Sequence, residues 1–196
     1  LLFRLTVTAV FLLPLIWMLT AALHPVGRPL PQTLTVSLDL TLANFSRVWQ
    51  LVPLGRFTLN SLLVVALAIP LTLVTSSWAG YSMAQLPKAS QRRWIVLSLA
   101  VLMVPGVALW STRFFLYNAL GWYNTIWALI APAWMGSSPF FVLMFYRAFR
   151  RIPVAIYEAA RLEGSGVLTN WWQIALPNVR PTAIGVALLT FILYWG

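Results

Sequence analysis

The sequence predicts an all-α integral membrane protein, a polytopic helical bundle of about five transmembrane spans. Three features of its 196 residues support this prediction: 61% are hydrophobic, only 8% are charged, and the mean hydropathy is +0.84. A soluble domain is usually about a quarter charged. So few charges could not cover a surface that faces water, and lipid must therefore surround most of the chain.

Stretches without charged residues locate the spans, because a helix needs about 20 residues to cross about 30 Å of hydrocarbon. We predict the first span at residues 5–23, the second within 57–84, the third at 94–112, the fourth within 114–146 from about Thr125 onward, and the start of a fifth at 181–196. Prolines lie inside these spans at Pro14, Pro70, Pro105, Pro132 and Pro139. Such kinks usually face neighbouring helices or a cavity, and they fit simple helix bending as well as a transport role.

The first apolar segment has an alternative interpretation as a secretory signal peptide. Its apolar run is longer than the core of a typical signal peptide, and no small-x-small cleavage site follows it. We therefore predict a retained span.

The distribution of basic residues predicts the orientation of the spans. With the N-terminus in the cytoplasm, nine of the thirteen Lys and Arg residues lie inside: Arg4, Lys88, Arg92, Arg93, Arg147, Arg150, Arg151, Arg161 and Arg180. The opposite orientation would reverse this bias and violate the positive-inside rule. This choice places residues 147–180 in the cytoplasm.

The charge and the rare residue types exclude several functions. A net charge of +10 would suggest nucleic acid in a soluble domain, but basic loops with few acids are ordinary in membrane proteins, and no basic helix is visible. The chain has no cysteine, which excludes disulfides and thiol chemistry, and its single histidine, His24, cannot form a metal cluster alone.

Residues 147–180 are predicted to form a short helix, a turn and a second short helix. Pro153 suits the first turn of the first helix, and Gly164 lies where a left-handed cap would end it. Pro177 and Pro181 would end the second helix and direct the chain into the next span. Trp171 and Trp172 suit the boundary between membrane and water.

One face of the first helix could contact a protein partner. Spacings of three and four place Ile152, Ile156, Ala159, Ala160 and Glu163 on that face. The two alanines keep it shallow, so another backbone could approach closely. The alternative is an amphipathic helix that lies on the bilayer surface.

Seven positions in this segment carry a specific resemblance. Glu158-Ala159-Ala160, three residues, Gly164, nine residues and then Ile174-x-Leu176-Pro177 resemble the EAA loop of ABC-transporter permeases at every spacing. Further stretches resemble the carbohydrate-importer branch, in the class of the second permease subunit of maltose-type and glycerol-phosphate-type systems: LPLIWML, LANFSRV, NSLLVV, GYSMAQL, MVPG, GWYNT and FILYWG. Departures from the family pattern are Glu163 in place of Asp, Gln85 in place of Arg, and Gly196 in place of Asn.

The resemblance implies a fold and a working assembly. Residues 1–196 would be one permease domain, truncated at both ends and lacking the end of the fifth span and all of the sixth. The 147–180 loop would couple it to an ATPase. The coupling residues carried over are Glu158, Ala159, Ala160, Gly164, Ile174, Leu176 and Pro177. The implied partners are a second permease forming a heterodimer, a cytoplasmic ATPase dimer and an extracytoplasmic substrate-binding protein. The membrane would be the inner membrane of a bacterium or archaeon.

The implied function is import of a sugar or related solute by alternating access, with no cofactor on this chain. The sequence contains no G-x-x-x-x-G-K-[ST] loop, so ATP and Mg²⁺ are expected on the partner ATPase. A membrane-embedded enzyme is a weaker interpretation, because the predicted spans contain no Asp, Glu, Lys or His that could do acid–base or metal chemistry. The sequence also leaves open a permease for a non-sugar solute, a channel and a passive scaffold.

Substrate contacts stay unassigned in the sequence. Aromatic faces and amide groups that could bind a sugar occur at Trp110, Tyr117, Trp122, Tyr123, Asn124 and Trp134. The same residues fit an interfacial aromatic belt or ordinary packing equally well.

Overall fold

The computed structural model describes residues 1–29, 40–134 and 138–195, and these residues form helices and turns without a strand. They fall into two compact units, Leu1–Leu59 and Asn60–Gly196. The predicted fourth and fifth spans each include positions outside the described residues, namely 135–137 and 196. The expected all-helical membrane fold is confirmed.

The first unit contains helices α1 (Leu2–Ala22) and α2 (Ala43–Leu51). Asn44 holds the end of α1, because its side-chain Nδ2 donates to the backbone oxygens of Ala22 at 3.0 Å and His24 at 2.6 Å. Carbonyls at the C-terminal end of a helix have no backbone N–H partner within that helix. Asn44 is therefore a structural residue of this unit.

The second unit contains the remaining helices, and the division between the units falls within α3. The helices are α3 (Leu54–Gln85), α4 (Lys88–Leu102), a 3₁₀ turn (Gly106–Leu109), α5 (Trp110–Ala119), α6 (Ile126–Trp134), α7 (Pro139–Phe149), α8 (Val154–Leu162), α9 (Val167–Thr169), a π-helical stretch (Asn170–Ala175), α10 (Leu176–Asn178) and α11 (Arg180–Tyr194). Pro139 begins α7 and lies inside the candidate span Ile126–Phe149, as expected.

Three stretches are long and apolar enough to cross a membrane: Phe3–Ala22, Leu54–Gln85 and Ile126–Phe149, the last of which runs over positions 135–137 that lie outside the described residues. Two further pairs of helices, each bent by 84°, bring the number to five if each pair is one span. The chain is therefore a multi-pass membrane protein, as predicted.

The third predicted span, 94–112, is not one continuous helix, and it bends at one of the prolines where the sequence analysis expected a kink. The chain bends by 84° between Lys88–Leu102 and Gly106–Ala119. Pro105 lies at the break, where it has no N–H to donate and its ring would clash with the carbonyl four residues earlier. Pro70, by contrast, lies within the continuous helix α3.

A buried stripe of small residues runs along α3. Ala68, Thr72, Ser76 and Gly80 recur every fourth residue and are all buried. Small residues at this spacing allow neighbouring helices to approach closely, which is the usual basis of helix packing in lipid. Thr75 adds a direct contact, because its hydroxyl donates to the Ala133 carbonyl of α6 at 3.1 Å.

Gln91 joins three helices through its buried side chain. Its Nε2 donates to the carbonyls of Ala84 at 3.2 Å and Leu86 at 2.7 Å, at the end of α3. Its Oε1 accepts a 2.8 Å hydrogen bond from the hydroxyl of Tyr146 on α7. One amide therefore satisfies the last carbonyls of α3 and holds the start of α4 against α7.

Candidate functional site

Helix α8 ends in a left-handed glycine turn. Gly164 has φ +80°, its N–H donates to Arg161 O at 3.0 Å, and the Ser165 N–H donates to Ala160 O at 3.0 Å. These two bonds form a Schellman motif. The predicted left-handed cap at Gly164 is confirmed, while Pro153 lies at the N-cap, just before the first turn.

The two alanines of α8 face different surroundings. Ala160 is 7% exposed and packs inside its own chain, together with Tyr157 one turn earlier. Ala159, Glu158 and Ile156 are exposed. The predicted face that joins Ala160 to Ala159 is therefore wrong, because α8 docks on the bundle through the side that carries Tyr157 and Ala160.

Tyr157 anchors α8 to the transmembrane helices. Its ring lies 6.1 Å from that of Tyr81 on α3, and Tyr81 lies 5.7 Å from Phe149 on α7 in an edge-to-face arrangement. Burial, followed by the proximity of Tyr81, raises the pKa of Tyr157 to about 12, so this phenol stays neutral. The buried Tyr157 hydroxyl has no hydrogen-bond partner among the described residues.

The stretch after Gly164 is anchored in the same way. Trp171 is 6% exposed and meets Trp78 of α3 edge-to-face at 5.0 Å. Its side chain fills the core, whereas Trp172 is 56% exposed. The position of both residues at the membrane–water boundary stays a prediction. Asn170 is also buried, and its Oδ1 accepts a 2.5 Å hydrogen bond from the Ser165 hydroxyl across the turn.

The last three motif residues, Ile174, Leu176 and Pro177, lie partly buried against the second unit. Ile174 and Pro177 are partly buried, and Leu176 packs against the core. The chain turns at Val179, which separates Val167–Asn178 from Arg180–Tyr194 by an 84° bend. Pro177 lies within α10 and Pro181 in the first turn of α11, so the turn predicted at the prolines falls between them.

A positively charged pocket of ≈ 360 Å³ lies beside α8. Arg150, Arg151, Arg161 and Glu158 line it, with Gln85 at the end of α3. Arg161 donates to Gln85 Oε1 at 3.4 Å, so the glutamine that departs from the family pattern contacts the candidate coupling helix. The exposed carboxylate of Glu158 thus has cationic neighbours within its own chain.

The 147–180 segment is held by aromatic residues that the sequence analysis missed. Trp78, Tyr81, Phe145 and Phe149 supply the bundle side of the core beneath it. A signal was present in α3, where two large aromatic residues, Trp78 and Tyr81, lie three positions apart beside the last residue of the small-residue stripe. The described geometry presents Glu158 and Ala159 outward on a helix whose other side is fixed.

Some of the aromatic and amide candidates do come together elsewhere in the second unit. Tyr117, Tyr123 and Asn124 line a pocket of ≈ 490 Å³ with Asn60 of α3, which the sequence analysis did not single out. Trp110, Trp122 and Trp134 are not among its lining residues.

Comparisons with known proteins agree with the helical architecture. No protein-family model matches the chain. The chain is 27% identical to the diacetylchitobiose uptake system permease protein of Streptomyces coelicolor over 96% of its length, and 30% identical to the sulfoquinovosyl glycerol transport system permease protein of Agrobacterium fabrum over 79%. It spans 63% and 54% of these two relatives.

A solved structure shares the fold. A bacterial ABC transporter involved in the import of the acidic polysaccharide alginate matches with a TM-score of 0.78 and 16% identity, covering 99% of this chain and 70% of the other.

Proposed function

We propose, because this chain is a homologue of the permease subunits of carbohydrate ABC transporters, that it is one membrane-spanning subunit of such an importer. It would carry a sugar or related solute across the cytoplasmic membrane of a bacterium or archaeon by alternating access. A separate ATPase would drive the movement.

The observation that carries this proposal is that one side of α8 is buried against the chain and the other side is exposed. Tyr157 and Ala160 fix one side to the chain's own core, while Glu158 and Ala159 are exposed on the other. A helix that transmits a push must be held by the body it moves and must offer a free face to its driver. We therefore assign the free face to contact with the ATPase and the fixed face to transmission into α3 and α7.

The seven motif residues divide between these two tasks in our proposal. Glu158 and Ala159 would contact the ATPase directly. Ala160, Ile174, Leu176 and Pro177 would act as positioning residues that set the shape of the 147–180 segment, and Gly164 would end α8 at the required point.

The proposed assembly supplies the parts that this chain lacks. The sequence has no phosphate loop of the G-x-x-x-x-G-K-[ST] type, and a dimeric ATPase would bring ATP and Mg²⁺. A second permease subunit would complete the translocation path as a heterodimer. An extracytoplasmic binding protein would deliver the solute.

Competing functions receive less support. The relatives are named as transport permeases, which disfavours an enzyme. An amphipathic helix that merely lies on lipid would not need a buried tyrosine and a buried tryptophan that hold it to the bundle.

The test is site-specific crosslinking in the full-length permease assembled with its partners. With a thiol-reactive photo-crosslinker at Ala159→Cys in this cysteine-free chain, we expect a covalent adduct with the ATPase that strengthens when ATP closes the dimer. The matched control is Ser46→Cys, an exposed position of the first unit. Crosslinking from neither site, together with ATP-independent uptake, would reject the proposal.

A further inference from the structure

An apolar groove of ≈ 280 Å³ lies between α4 and α7 in the second unit. Its α4 wall is formed by Ile95, Leu99 and Leu102, whose spacing of four and three places them on one face of the helix. Leu143 and Met144 belong to its α7 wall, and Arg147 lies at one end. We call this feature the α4–α7 groove. Leu99 and Leu102 remain 51% and 42% exposed within stretches that can cross a membrane, so the groove is open to an apolar partner.

Both walls of the groove lead to an arginine at the same end. Arg147 follows Met144 by three residues on α7, and Arg92 precedes Ile95 by three residues on α4. The 2.8 Å hydrogen bond from the Tyr146 hydroxyl to Gln91 holds the neighbouring positions of the two helices together. Because α4 begins and α7 ends near this level, the two arginines share one end of the groove. The distribution of basic residues predicts that this end faces the cytoplasm.

Neither of these two guanidinium groups is neutralised within the described part of the chain. Arg92 and Arg147 are exposed, and neither forms a hydrogen bond or an ion pair with a described residue. No carboxylate is among the described residues that line the groove. Guanidinium groups present several N–H donors in a fork that matches the oxygens of a phosphate. The end of the groove is therefore suited to a phosphate group.

The length of the groove matches one leaflet of a bilayer. From Arg92 to Leu102 the chain advances ten residues, which is about 15 Å at the rise of an α-helix. This is about half of the hydrocarbon thickness of a membrane, ~30 Å. Beyond Leu102 the chain bends by 84° into the next helix, so this wall ends there. The groove thus offers an apolar surface to the acyl chains of one leaflet and cations at the level of their phosphates.

We propose that the α4–α7 groove binds an anionic phospholipid of the cytoplasmic leaflet, with an acyl chain along the apolar walls and the phosphate at Arg92 and Arg147. Basic pockets between transmembrane helices on the cytoplasmic side are suited to such lipids. A zwitterionic lipid carries an ammonium group beside its phosphate, and the described groove has no carboxylate to receive it. Phosphatidylglycerol, which has a net negative charge, suits the site better. This inference requires the membrane fold and the predicted orientation, but not the proposed transport function.

The test uses the full-length permease, assembled with its partners, in phosphatidylcholine vesicles that contain a small fraction of phosphatidylglycerol with a photoreactive acyl chain. After illumination, mass spectrometry of peptides locates the adducts. We expect adducts within residues 95–102 and 140–147, displaced by unlabelled phosphatidylglycerol but not by phosphatidylethanolamine. Arg92→Gln and Arg147→Gln should each weaken the apparent affinity about fivefold, which is the contribution of one cation near an anionic lipid. Arg93→Gln, the same charge change at the neighbouring exposed residue outside this face, should leave the affinity unchanged.

A second pair of variants tests the acyl-chain part of the site. Leu97 and Leu99 are both 51% exposed on α4, but only Leu99 lines the groove. Leu99→Trp should fill the groove and lower the adduct yield several-fold, whereas Leu97→Trp should leave it unchanged. Soluble glycerophosphoglycerol, which has the headgroup without acyl chains, should not displace the photoreactive lipid.

Four results would overturn the inference. The first is absence of adducts in the groove, and a crosslink from Leu99→Cys to the second permease would then assign the groove to a subunit contact. The second is an equal loss of affinity in Arg93→Gln, which would show only a general attraction of basic loops for anionic lipid. The third is equal displacement by phosphatidylethanolamine, and the fourth is displacement by glycerophosphoglycerol. Should Arg147→Gln fail to accumulate in the membrane, Arg92→Gln and Leu99→Trp decide.

Discussion

Gly80 of α3 and Phe145 of α7 lie so close that a β-carbon added to the glycine would stand 2.7 Å from the Phe145 Cβ. The same atom would be 2.8 Å from the Tyr146 nitrogen and 2.8 Å from the Val142 oxygen, both in the backbone of α7. A backbone cannot rotate away as a side chain can. The absence of one methyl group therefore sets the distance between the two helices that carry the 147–180 segment.

Gly80→Ala should destabilise the permease, because α7 must move to admit the new methyl group. Overpacking of this kind costs about 1–3 kcal/mol. The measurement is the fraction of monodisperse protein that survives heating, followed by fluorescence-detected size exclusion. Gly185→Ala is the matched control, since a β-carbon at this helical glycine of α11 meets no atom of the described residues within 4 Å. Equal survival of both variants would contradict the close contact.

Gly164→Val should impair coupling through the backbone alone. A β-carbon at Gly164 meets no described atom within 4 Å, so the cost comes from φ +80°, about 1–2 kcal/mol for a residue with a β-carbon. Gly166→Val is the control, because Gly166 has φ −75° and equal space. We expect ATP-dependent uptake to fall in the first variant and persist in the second. Gly164→Asn should restore part of the activity, since asparagine tolerates the left-handed region.

Tryptophan at the two neighbouring alanines should produce different defects. Ala159→Trp places a large ring on the exposed face, and we expect normal membrane levels but loss of ATPase co-purification. Ala160→Trp places it in the chain's own core, so we expect reduced levels of folded permease. Comparing the amount of permease with the amount of bound ATPase separates the two effects. Normal ATPase binding by Ala159→Trp would favour a helix that lies on the bilayer.

Trp78 and Trp171 should be energetically coupled. Their rings meet edge-to-face at 5.0 Å, and such aromatic pairs contribute about 0.5–1.5 kcal/mol beyond burial. A double-mutant cycle with Trp78→Leu, Trp171→Leu and both together should give a coupling energy in this range. Chemical denaturation in detergent supplies the free energies. Additive effects within experimental error would show that this contact does not hold the segment.

Cysteine labelling should confirm the orientation that the basic residues predict. Ser46→Cys should react with an impermeant thiol reagent from outside the cell, and Gln173→Cys only after permeabilisation. Both positions are exposed, whereas Asn44 and Asn178 donate hydrogen bonds that hold helix ends and are poorer choices. The reverse labelling pattern would invert the topology and place residues 147–180 outside.

The sequence predicted what local chemistry decides and missed what depends on neighbours. Gly164 was correctly placed in a left-handed cap because the preference of glycine for positive φ is a local property. Ala160 was misplaced because helical spacing defines a face without saying what the face contacts. The break at Pro105 was underestimated, since Pro70 occurs inside a helix that continues and composition alone does not separate the two cases. Nothing in the sequence around Asn60, apart from its position in an apolar span, indicated that this residue lines a pocket.

The core between the 147–180 segment and the bundle has a mechanical consequence. Neither the Tyr157 hydroxyl nor the Trp171 Nε1 has a hydrogen-bond partner among the described residues, although both atoms are buried. The attraction within this core is therefore mainly apolar. The hydrogen bond from Arg161 to Gln85 Oε1 at 3.4 Å lies outside it. Close-packed side chains of this kind have low compressibility and transmit strain. A displacement of the 147–180 segment would therefore be passed through its aromatic side chains to α3 and α7.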